Sequence, residues 1–362
     1  MKRAWIIAVL LTFAVAMVGF AASKVAIVQG NEKVLKDSTI INPRFLGYAP
    51  KSPDKARGPH QWTLEYTPAS IKEVESMVRK AVKLAGGWPV KKGDTVFIKF
   101  NANNDQWYML STGHGNPPDF TATNTDGRVA RAVALLAKES GAKKIYIGEA
   151  PGLSNAIPNM RVWGAYLAEQ DAGAELVDLD RVPYRWVKAP HALSATEFAI
   201  PAVVLDADVV ISVAALKTHV FAGTTATLKN IGIGVPPNSV YGAPKTGLRH
   251  DVLRRTIADV NDIVRAKYGV IGAIYGGEGN GPTQVDGIYQ GIVIAGPDLV
   301  ADDAVGTACM GLNPELHGYL RAAQEIGLGT YKDIEVVGKS IGEVYKAYKQ
   351  HPAGVHANVW SW

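Results

Sequence analysis

The densest group of residues that could do chemistry lies within residues 207–234. Lys217, Thr218 and His219 follow a short apolar run at residues 209–213, which is typical of a strand buried on both faces of a parallel sheet. Lys217 and His219 are two residues apart, so an extended segment places them on one face. This pair suits a carboxylate or phosphate, with lysine as a point charge and histidine as donor or general acid. The structural alternative is that Lys217 solvates a strand end and His219 caps a helix.

Further hydrogen-bond donors follow within a dozen residues of this strand. Lys229 and Asn230 stand in a short stretch with helical character that begins near Thr224. The free N–H groups at the start of a helix favour an anion, and the two side chains could add donors. We therefore expect a small anionic ligand at this strand end.

Carboxylates lie at the ends of other predicted strands. Glu149 and Glu278 each follow an apolar run, and with the histidines, including His250, they could form a hard-metal or mixed oxygen and nitrogen site. However, no local spacing of histidine and carboxylate resembles a known zinc motif. The pair Asp302-Asp303 fits such a site, or the first turn of a helix, where acids complement the helix dipole.

Glu278 stands in a glycine-rich run, residues 276–282. This run is not a dinucleotide-binding fingerprint, because no clear helix begins at Pro282 and the expected ribose-binding acid is absent. It also lacks a Walker lysine. The glycines instead predict a tight turn or a close approach of the backbone to a ligand. Glu278 is then either a site residue or a solvated residue of the turn.

The sequence therefore predicts a site at the carboxyl ends of the strands, which is where ligands bind in open α/β sheets. The candidates for catalysis are Lys217, His219 and Glu278. The candidates for ligand binding are Lys99, Asn101, Glu149, Thr218, Lys229, Asn230, His250 and Asn280.

Strand, loop and helix patterns alternate along the chain. This alternation predicts an α/β fold with a mostly parallel sheet, helices on both faces and long loops at the carboxyl edge. Residues 23–362 are expected to form a single domain, or two lobes of one. We expect a surface insertion near residues 31–66, a long loop at residues 101–125 and a lid-like connector near residues 235–248.

The first 22 residues have the pattern of a secretory signal peptide. Lys2 and Arg3 precede an uncharged, mostly apolar run, and residues 19–21 supply small side chains near a cleavage site. The alternative is an uncleaved anchor, since the apolar run approaches the roughly 20 residues that span a bilayer. We expect cleavage, and hence a periplasmic or secreted protein that has no membrane attachment after the leader is removed.

The charge and cysteine content exclude several classes of function. The formal net charge is +5, or +3 without the two basic leader residues (5 − 2), and the basic residues form no dense stripe, so we expect no nucleic-acid partner. Cys309 is the single cysteine, which excludes an internal disulfide and a cysteine-ligated iron–sulfur cluster. Its apolar surroundings predict a small core residue. The oligomeric state is left open.

Several of these segments together resemble the family catalogued as domain of unknown function 362. The matching segments are Ile211-Ser212-Val213, Leu216-Lys217-Thr218-His219, Leu228-Lys229-Asn230, Ile257-Ala258-Asp259-Val260-Asn261, Gly277-Glu278-Gly279-Asn280-Gly281-Pro282 and Asp302-Asp303-Ala304-Val305. Weaker matches lie at residues 98–101 and 147–152, so the resemblance covers roughly residues 24–338. The resemblance to this family implies a fold more firmly than it implies a reaction. Some relatives carry appended ferredoxin-like cysteine clusters, and this chain carries none.

Two hypotheses on function follow from these residues. The first is an exported enzyme that acts on a small anionic substrate, with a divalent metal as an optional cofactor. A distant similarity of layout to the nickel-pincer racemases suggests one version, in which lysine and histidine hold a metal cofactor; it is an analogy of fold alone. The second is an exported protein that binds an anion or a metal without catalysis. An enzyme needs a group that titrates near neutral pH, whereas a binding protein needs only fixed donors.

The leader generates the first testable prediction. If it is a signal peptide, protein recovered from the periplasm should begin between Ala22 and Lys24, which N-terminal sequencing would detect. Recovery of a chain that begins at Met1 from the membrane fraction would favour the anchor instead.

Overall fold

A nine-stranded sheet forms the centre of the structure, a computed structural model that describes residues 23–42, 63–103, 108–109, 112–152 and 155–352. The strands are β1 Ser23–Gln29, β2 Thr39–Asn42, β3 Thr63–Tyr66, β4 Thr95–Lys99, β5 Lys144–Glu149, β6 Glu175–Asp178, β7 Tyr184–Lys188, β8 Glu197–Pro201, β9 Val209–His219, β10 Gly223–Thr225, β11 Tyr268–Asn280, β12 Gln284–Gly296 and β13 Ile334–Gly338.

Helices of four to eighteen residues connect these strands. They are α1 Glu32–Leu35, α2 Pro68–Ala85, α3 Pro117–Thr123, α4 Gly127–Glu139, α5 Ala156–Val162, α6 Tyr166–Ala172, α7 Ala202–Leu205, α8 Thr227–Gly234, α9 Asn238–Tyr241, α10 Leu253–Val264, α11 Leu299–Cys309, α12 Gly318–Glu325 and α13 Ile341–Val344, with 3₁₀ turns at His250–Val252 and Pro314–Leu316. None of the described helices is both long and apolar enough to cross a bilayer.

The sheet has the order β13-β1-β12-β11-β9-β4-β5-β6, and β10 pairs with the end of β9. Strands β11, β9, β4, β5 and β6 are parallel neighbours. Strand β12 is antiparallel to both β11 and β1, so β1 and its parallel neighbour β13 run in the same direction as β11. The predicted α/β fold with a mostly parallel sheet is therefore confirmed.

Helices cover both faces of the sheet, because the strands are apolar on both sides. On one face α2, α4, α5 and α6 pack against residues such as Ile98 and Ile211. On the other face α8, α10, α11 and α12 pack against residues such as Phe97 and Val210. Cys309 is buried in a third apolar cluster, and burial raises the pKa of its thiol to about 12, as expected of a core residue.

Strand β9 is longer than its apolar pattern predicts. It continues through Lys217 to His219, and all eleven of its residues are buried. Lys217 and His219 therefore belong to the strand itself, where neighbouring strands and helices hold them in place. Their spacing of two residues puts both on one side of the strand, while Thr218 points to the other and donates to the carbonyl of Gly279 (3.0 Å).

The glycine-rich run at residues 276–282 is mostly strand, so the prediction of a tight turn there is wrong. Strand β11 extends to Asn280 and pairs with β12 from Gln284 onward, which makes a long hairpin. Glycine serves close approach here rather than turning. A Cβ atom on Gly277 would lie 2.8 Å from Cβ of Lys217, and one on Gly276 would lie 1.7 Å from the Tyr348 hydroxyl.

Three irregular segments contain more structure than the sequence predicts. The described ends of residues 31–66 hold α1 and the paired strands β2 and β3, and Leu35 and Leu64 are fully buried. Residues 101–125 include the helix α3, which begins after the capping residue Asn116. The lid-like segment 235–248 includes α9.

The C-terminal segment after α13 lies along the β11–β12 hairpin instead of continuing as a helix. The Tyr348 hydroxyl donates to the side-chain oxygen of Gln290 (2.6 Å), and the carbonyl of Lys349 accepts from the N–H of Gly279 (2.8 Å). This segment therefore fixes the hairpin from the face opposite α3.

The close contact at Gly276 generates the second prediction. Gly276→Ala should lower the free energy of unfolding by about 1–3 kcal/mol, because the added methyl group overlaps the Tyr348 hydroxyl and forces a repacking. Gly342→Ala is the matched control, since an added Cβ there meets no atom within 4 Å. Chemical denaturation of both variants checks this, and equal stabilities would contradict the packing described.

Candidate functional site

A buried ion pair joins the carboxyl ends of β4 and β5. Nζ of Lys99 lies 2.6 Å from Oε1 of Glu149, and the side chains are 0% and 3% exposed. The adjacent strands place the two residues side by side, since Lys99 pairs with Gly148 in the register. Glu149 also accepts the backbone N–H groups of Ala102 (2.7 Å) and Ala150 (2.9 Å), so both of its oxygens are held.

Asn230 of α8 completes this pair. Its side-chain oxygen accepts from Nζ of Lys99 (3.1 Å), and its amide nitrogen donates to the Lys99 carbonyl (3.1 Å) and to the Ser212 hydroxyl (3.2 Å). The approach is close, because a Cβ atom on Gly234 would lie 2.5 Å from Nζ of Lys99. The pair thus ties strands β4, β5 and β9 to helix α8.

Three more lysines surround the same carboxylate. Lys217 at the end of β9 is buried, and its amine donates to the carbonyl of Thr123 at the end of α3. Lys245 is buried within the segment 235–248, and its amine donates to the carbonyl of Ile233 (2.6 Å). Lys229 projects from α8, is half-buried, and has no hydrogen-bond partner among the described residues.

We call Lys99, Lys217, Lys229 and Lys245 the lysine cluster, because the charge of Glu149 acts on all four. Burial is the main cause that lowers the pKa of each amine. The pKa falls to about 7 for Lys217 and Lys245 and to about 8 for Lys229. Repulsion between the lysines adds to this shift, whereas Glu149 opposes it.

Two histidines lie beside the lysine cluster. His219 accepts the backbone N–H groups of Phe221 (3.1 Å) and Ala222 (3.2 Å) at Nδ1, so its proton is on Nε2. His250 bonds the carbonyl of Leu248 (2.6 Å) through Nδ1, so that nitrogen carries the proton and Nε2 has a free lone pair. Neither Nε2 has a hydrogen-bond partner among the described residues.

Both histidines are neutral at pH 7, because burial and then the charge of nearby lysines lower their pKa values. The two rings therefore present opposite functions, a donor at His219 and an acceptor at His250. The ring of Phe221, which is exposed, lies between them, with centroids 6.2 Å from His219 and 6.1 Å from His250. A hydrogen-bond donor and a proton acceptor thus lie on either side of the Phe221 ring.

Asp303 of α11 holds the helix that carries Lys229. Its carboxylate accepts the backbone N–H groups of Thr227 (2.7 Å) and Leu228 (3.1 Å) and the Thr227 hydroxyl (2.5 Å). Helix α8 has no side-chain cap of its own, so this acid from another helix takes that role. Burial raises the pKa of Asp303 to about 7 despite these bonds.

Several predicted site residues do lie together. The hydrogen bonds and charge interactions described above connect seven of them: Lys99, Glu149, Lys217, His219, Lys229, Asn230 and His250. Asn101 follows β4, and its side-chain oxygen is buried without a donor among the described residues. It lies next to Ala102, which contacts Glu149.

Three predicted residues are not brought into this group. Glu278 follows Gly277, the partner of Lys217 in the register, and so points to the other face. There its carboxylate accepts the N–H of Lys349 (2.8 Å). Asn280 is exposed at the end of β11, and Thr218 bonds the hairpin.

The sequence reasoning missed three contributors. Lys245 has a left-handed backbone (φ 65°), an unusual conformation for lysine, and nothing in a Pro/Gly-rich segment indicates that its amine turns inward. For Asp303 the sequence leaves two possibilities, a metal or mixed site and the first turn of its own helix, and neither places it at the start of α8. Thr123 contributes only its carbonyl, which no side-chain pattern can indicate.

A bare divalent cation does not fit the lysine cluster. Among the described residues, no three or more histidine, cysteine, aspartate or glutamate side chains come together as possible ligands. The ammonium groups would also repel a cation, and Nε2 of His219 would have to lose its proton before it could bind a metal. The donor set is that of an anion site.

The fold and these residues define an α/β protein with a lysine-rich site at the carboxyl edge of its sheet. The sequence profile of the family named domain of unknown function 362 (DUF362) matches residues 96–308, more than half of the chain. The protein therefore belongs to this family, as the sequence motifs predicted.

The chain is similar to two proteins of other organisms. The thylakoid-associated protein sll1697 of Synechocystis sp. is 28% identical over 241 residues, which cover 66% of this chain and 70% of the relative. The lactate racemase apoprotein from Thermoanaerobacterium thermosaccharolyticum is 13% identical with a TM-score of 0.38, over 70% of this chain and 55% of that chain. This chain thus spans about half of the racemase. A likeness this weak implies nothing about the roles of the residues in the site.

Glu149 generates the third prediction. Glu149→Gln removes the charge shared by four lysines and places an amide against the N–H of Ala102, so unfolding should be easier by about 3–5 kcal/mol at pH 7. The ammonium groups lose their protons as the pH rises past about 7–8, so the deficit should shrink at alkaline pH.

Denaturation of both proteins at pH 7 and pH 9.5, values chosen about two units apart across the lysine titration, measures this. Glu175→Gln is the control, because Glu175 forms an exposed pair with Lys144 (2.5 Å) and its loss should matter little. A deficit for Glu149→Gln that does not depend on pH would contradict the charge argument.

Proposed function

We propose that this protein is an enzyme that binds a small organic anion at the lysine cluster and acts on it with the adjacent histidines. One observation carries the proposal: Glu149 is the carboxylate that acts on all four buried or half-buried lysines. Asp180 adds a further negative charge for Lys245 alone. An excess of positive charge in a poorly solvated place is costly unless the lysines lose protons or an anion joins them.

The lysines keep donors free for such an anion. An ammonium group has three N–H donors, and Lys217 and Lys245 each use one on a backbone carbonyl. Lys229 uses none among the described residues. The backbone carbonyls fix two of the amines in direction, which suits the binding of a carboxylate or phosphate group by point charges.

The histidines favour catalysis over binding alone. His219 presents an N–H donor and His250 a free lone pair, and both stay neutral at pH 7. Such a pair can donate a hydrogen bond to one atom of a bound anion and take a proton from another. The lysine amines also titrate near neutral pH, a common property of catalytic groups.

A non-catalytic anion-binding protein is the second candidate, favoured by the fixed amines of Lys217 and Lys245. Incubation of the protein with small carboxylates and phosphate esters in D₂O, followed by NMR, separates the two. Deuterium exchange or product formation that His250→Asn abolishes supports an enzyme, since asparagine keeps the Leu248 bond and removes Nε2. Binding without any reaction supports the second candidate.

A periplasmic or secreted location is also part of this proposal. Its support is the leader pattern at residues 1–22, which lies outside the described residues, and the start of β1 at Ser23, next to the predicted cleavage. Removal of residues 1–22 would leave the buried strand intact.

Binding of the anion generates the fourth prediction. A bound anion raises the pKa values of Lys217, Lys229 and Lys245 toward their ordinary range, so binding near pH 7–8 should take up protons. The affinity should be highest below about pH 7, where the free protein already holds these protons, and should fall as the pH rises through 8. Calorimetry with malonate in buffers of different ionisation enthalpy measures both effects.

The matching variant is Lys229→Met, which should weaken malonate binding about tenfold or more, because hydrogen bonds to charged groups contribute ~1.5–3 kcal/mol. Lys217→Met would change two things at once, since it also leaves the Thr123 carbonyl without its hydrogen-bond donor. Lys72→Met, on the exposed face of α2, is the control. Failure to bind carboxylate or phosphate anions at any pH would overturn the proposal.

A further inference from the structure

Lys229 differs from the rest of the lysine cluster in one respect. Lys99 donates to three oxygens, Lys217 to the Thr123 carbonyl and Lys245 to the Ile233 carbonyl. The amine of Lys229 has no hydrogen-bond or ion-pair partner among the described residues, and its side chain is half-buried. Three amines are thus held by the fold, whereas the fourth is held by none of the described residues.

The helix that carries Lys229 is fixed at several points. Asp303 holds its first N–H groups, Asn230 binds the Lys99 backbone, and the amide of Asn261 donates to the carbonyl of Leu228 (2.8 Å). Only the flexible stem of Lys229 is left to move. An unbound amine on a rigid base is suited to react with a ligand rather than to stabilise the fold.

The surroundings of Lys229 also favour the neutral form of its amine. Burial and the charge of Lys99 lower the pKa of Lys229 to about 8, against the opposing effect of Glu149. An appreciable fraction of the amine therefore has a free lone pair at neutral pH. Desolvation and a neighbouring cation are the two means by which a lysine becomes a nucleophile toward carbonyl compounds.

We propose that Lys229 forms an imine with the ketone carbon of a small oxo acid, whose carboxylate is held by Lys217 and Lys245. This inference rests on the proposed anion site and names its substrate class. The amine nitrogen attacks the carbonyl carbon to give a carbinolamine, which then loses water to give the C=N bond.

The adjacent histidines balance the protons of this step. The nitrogen gives up two protons in all, and both leave in the water molecule that carries away the ketone oxygen. Nε2 of His250, with its free lone pair, takes each proton from the nitrogen in turn and passes it to the departing oxygen, while Nε2–H of His219 donates a hydrogen bond to that oxygen. The charge and the redox state of protein plus ligand are unchanged.

Reductive trapping tests the proposal. The full-length mature protein is incubated with pyruvate or acetoacetate and sodium cyanoborohydride, and intact mass and peptide mapping locate the reduced adduct. We expect one adduct per chain, on Lys229. Lys229→Arg keeps the positive charge but not the nucleophile, so it should lose this adduct, whereas malonate binding by the parent, which involves no ketone, reports on the anion site separately.

Lys72→Arg is the matched control and should trap the oxo acid like the parent, because Lys72 is exposed on α2. Thermal melting verifies that each variant is folded. Malonate binding by the parent without trapping, or adducts spread over surface lysines and kept in Lys229→Arg, would overturn the imine and leave the anion site standing. Absence of both malonate binding and trapping would overturn the anion site and the imine with it.

Discussion

The site depends on one negative charge. Glu149 is held by Lys99 and by two backbone N–H groups, and these contacts join the ends of β4 and β5 to the loop that follows β4. The same charge is what permits four lysines to lie near one another in a poorly solvated region. Without an opposite charge, their mutual repulsion and desolvation would drive off protons or open the structure.

The lysines around this charge differ in how many hydrogen-bond acceptors the fold provides for each amine. Lys99 is fully satisfied by protein oxygens and is a structural residue, although it lies at the centre. The amines of Lys217 and Lys245 each donate to a single acceptor, a backbone carbonyl, and the amine of Lys229 has no acceptor among the described residues. Equal side chains thus acquire distinct roles through the number of acceptors that the backbone offers each of them.

Much of this arrangement could be predicted from the sequence, because strand ends in a parallel sheet meet at one edge. That rule correctly brought Lys99, Glu149, Lys217 and His219 together. It failed at Glu278, because the predicted turn is a strand, and in a strand each residue points opposite to its neighbours. The position of a residue along the sheet edge was predictable. The face of the sheet to which its side chain points was not, because it depends on where β11 ends.

Other parts depended on contacts between distant segments, which local patterns do not encode. Asp303 looks like an ordinary acid in the first turn of its own helix, and only tertiary packing aims it at the start of α8. Lys245 requires a left-handed backbone that lysine seldom adopts, stabilised by its bond to Ile233. Both residues were invisible to periodicity because their partners are 76 and 12 positions away in the chain.

The position of β1 has a consequence for how the chain reaches this structure. The first strand of the described residues lies between β12 and β13, which are among the last strands to be synthesised. Its pairing closes a loop of more than 250 residues, and such distant contacts slow folding because the entropy of closure is lost before the contacts form. The sheet therefore cannot be completed until nearly the whole chain is available. Until then the edge of β12 that β1 will cover stays unpaired, and an unpaired edge strand can pair with another chain.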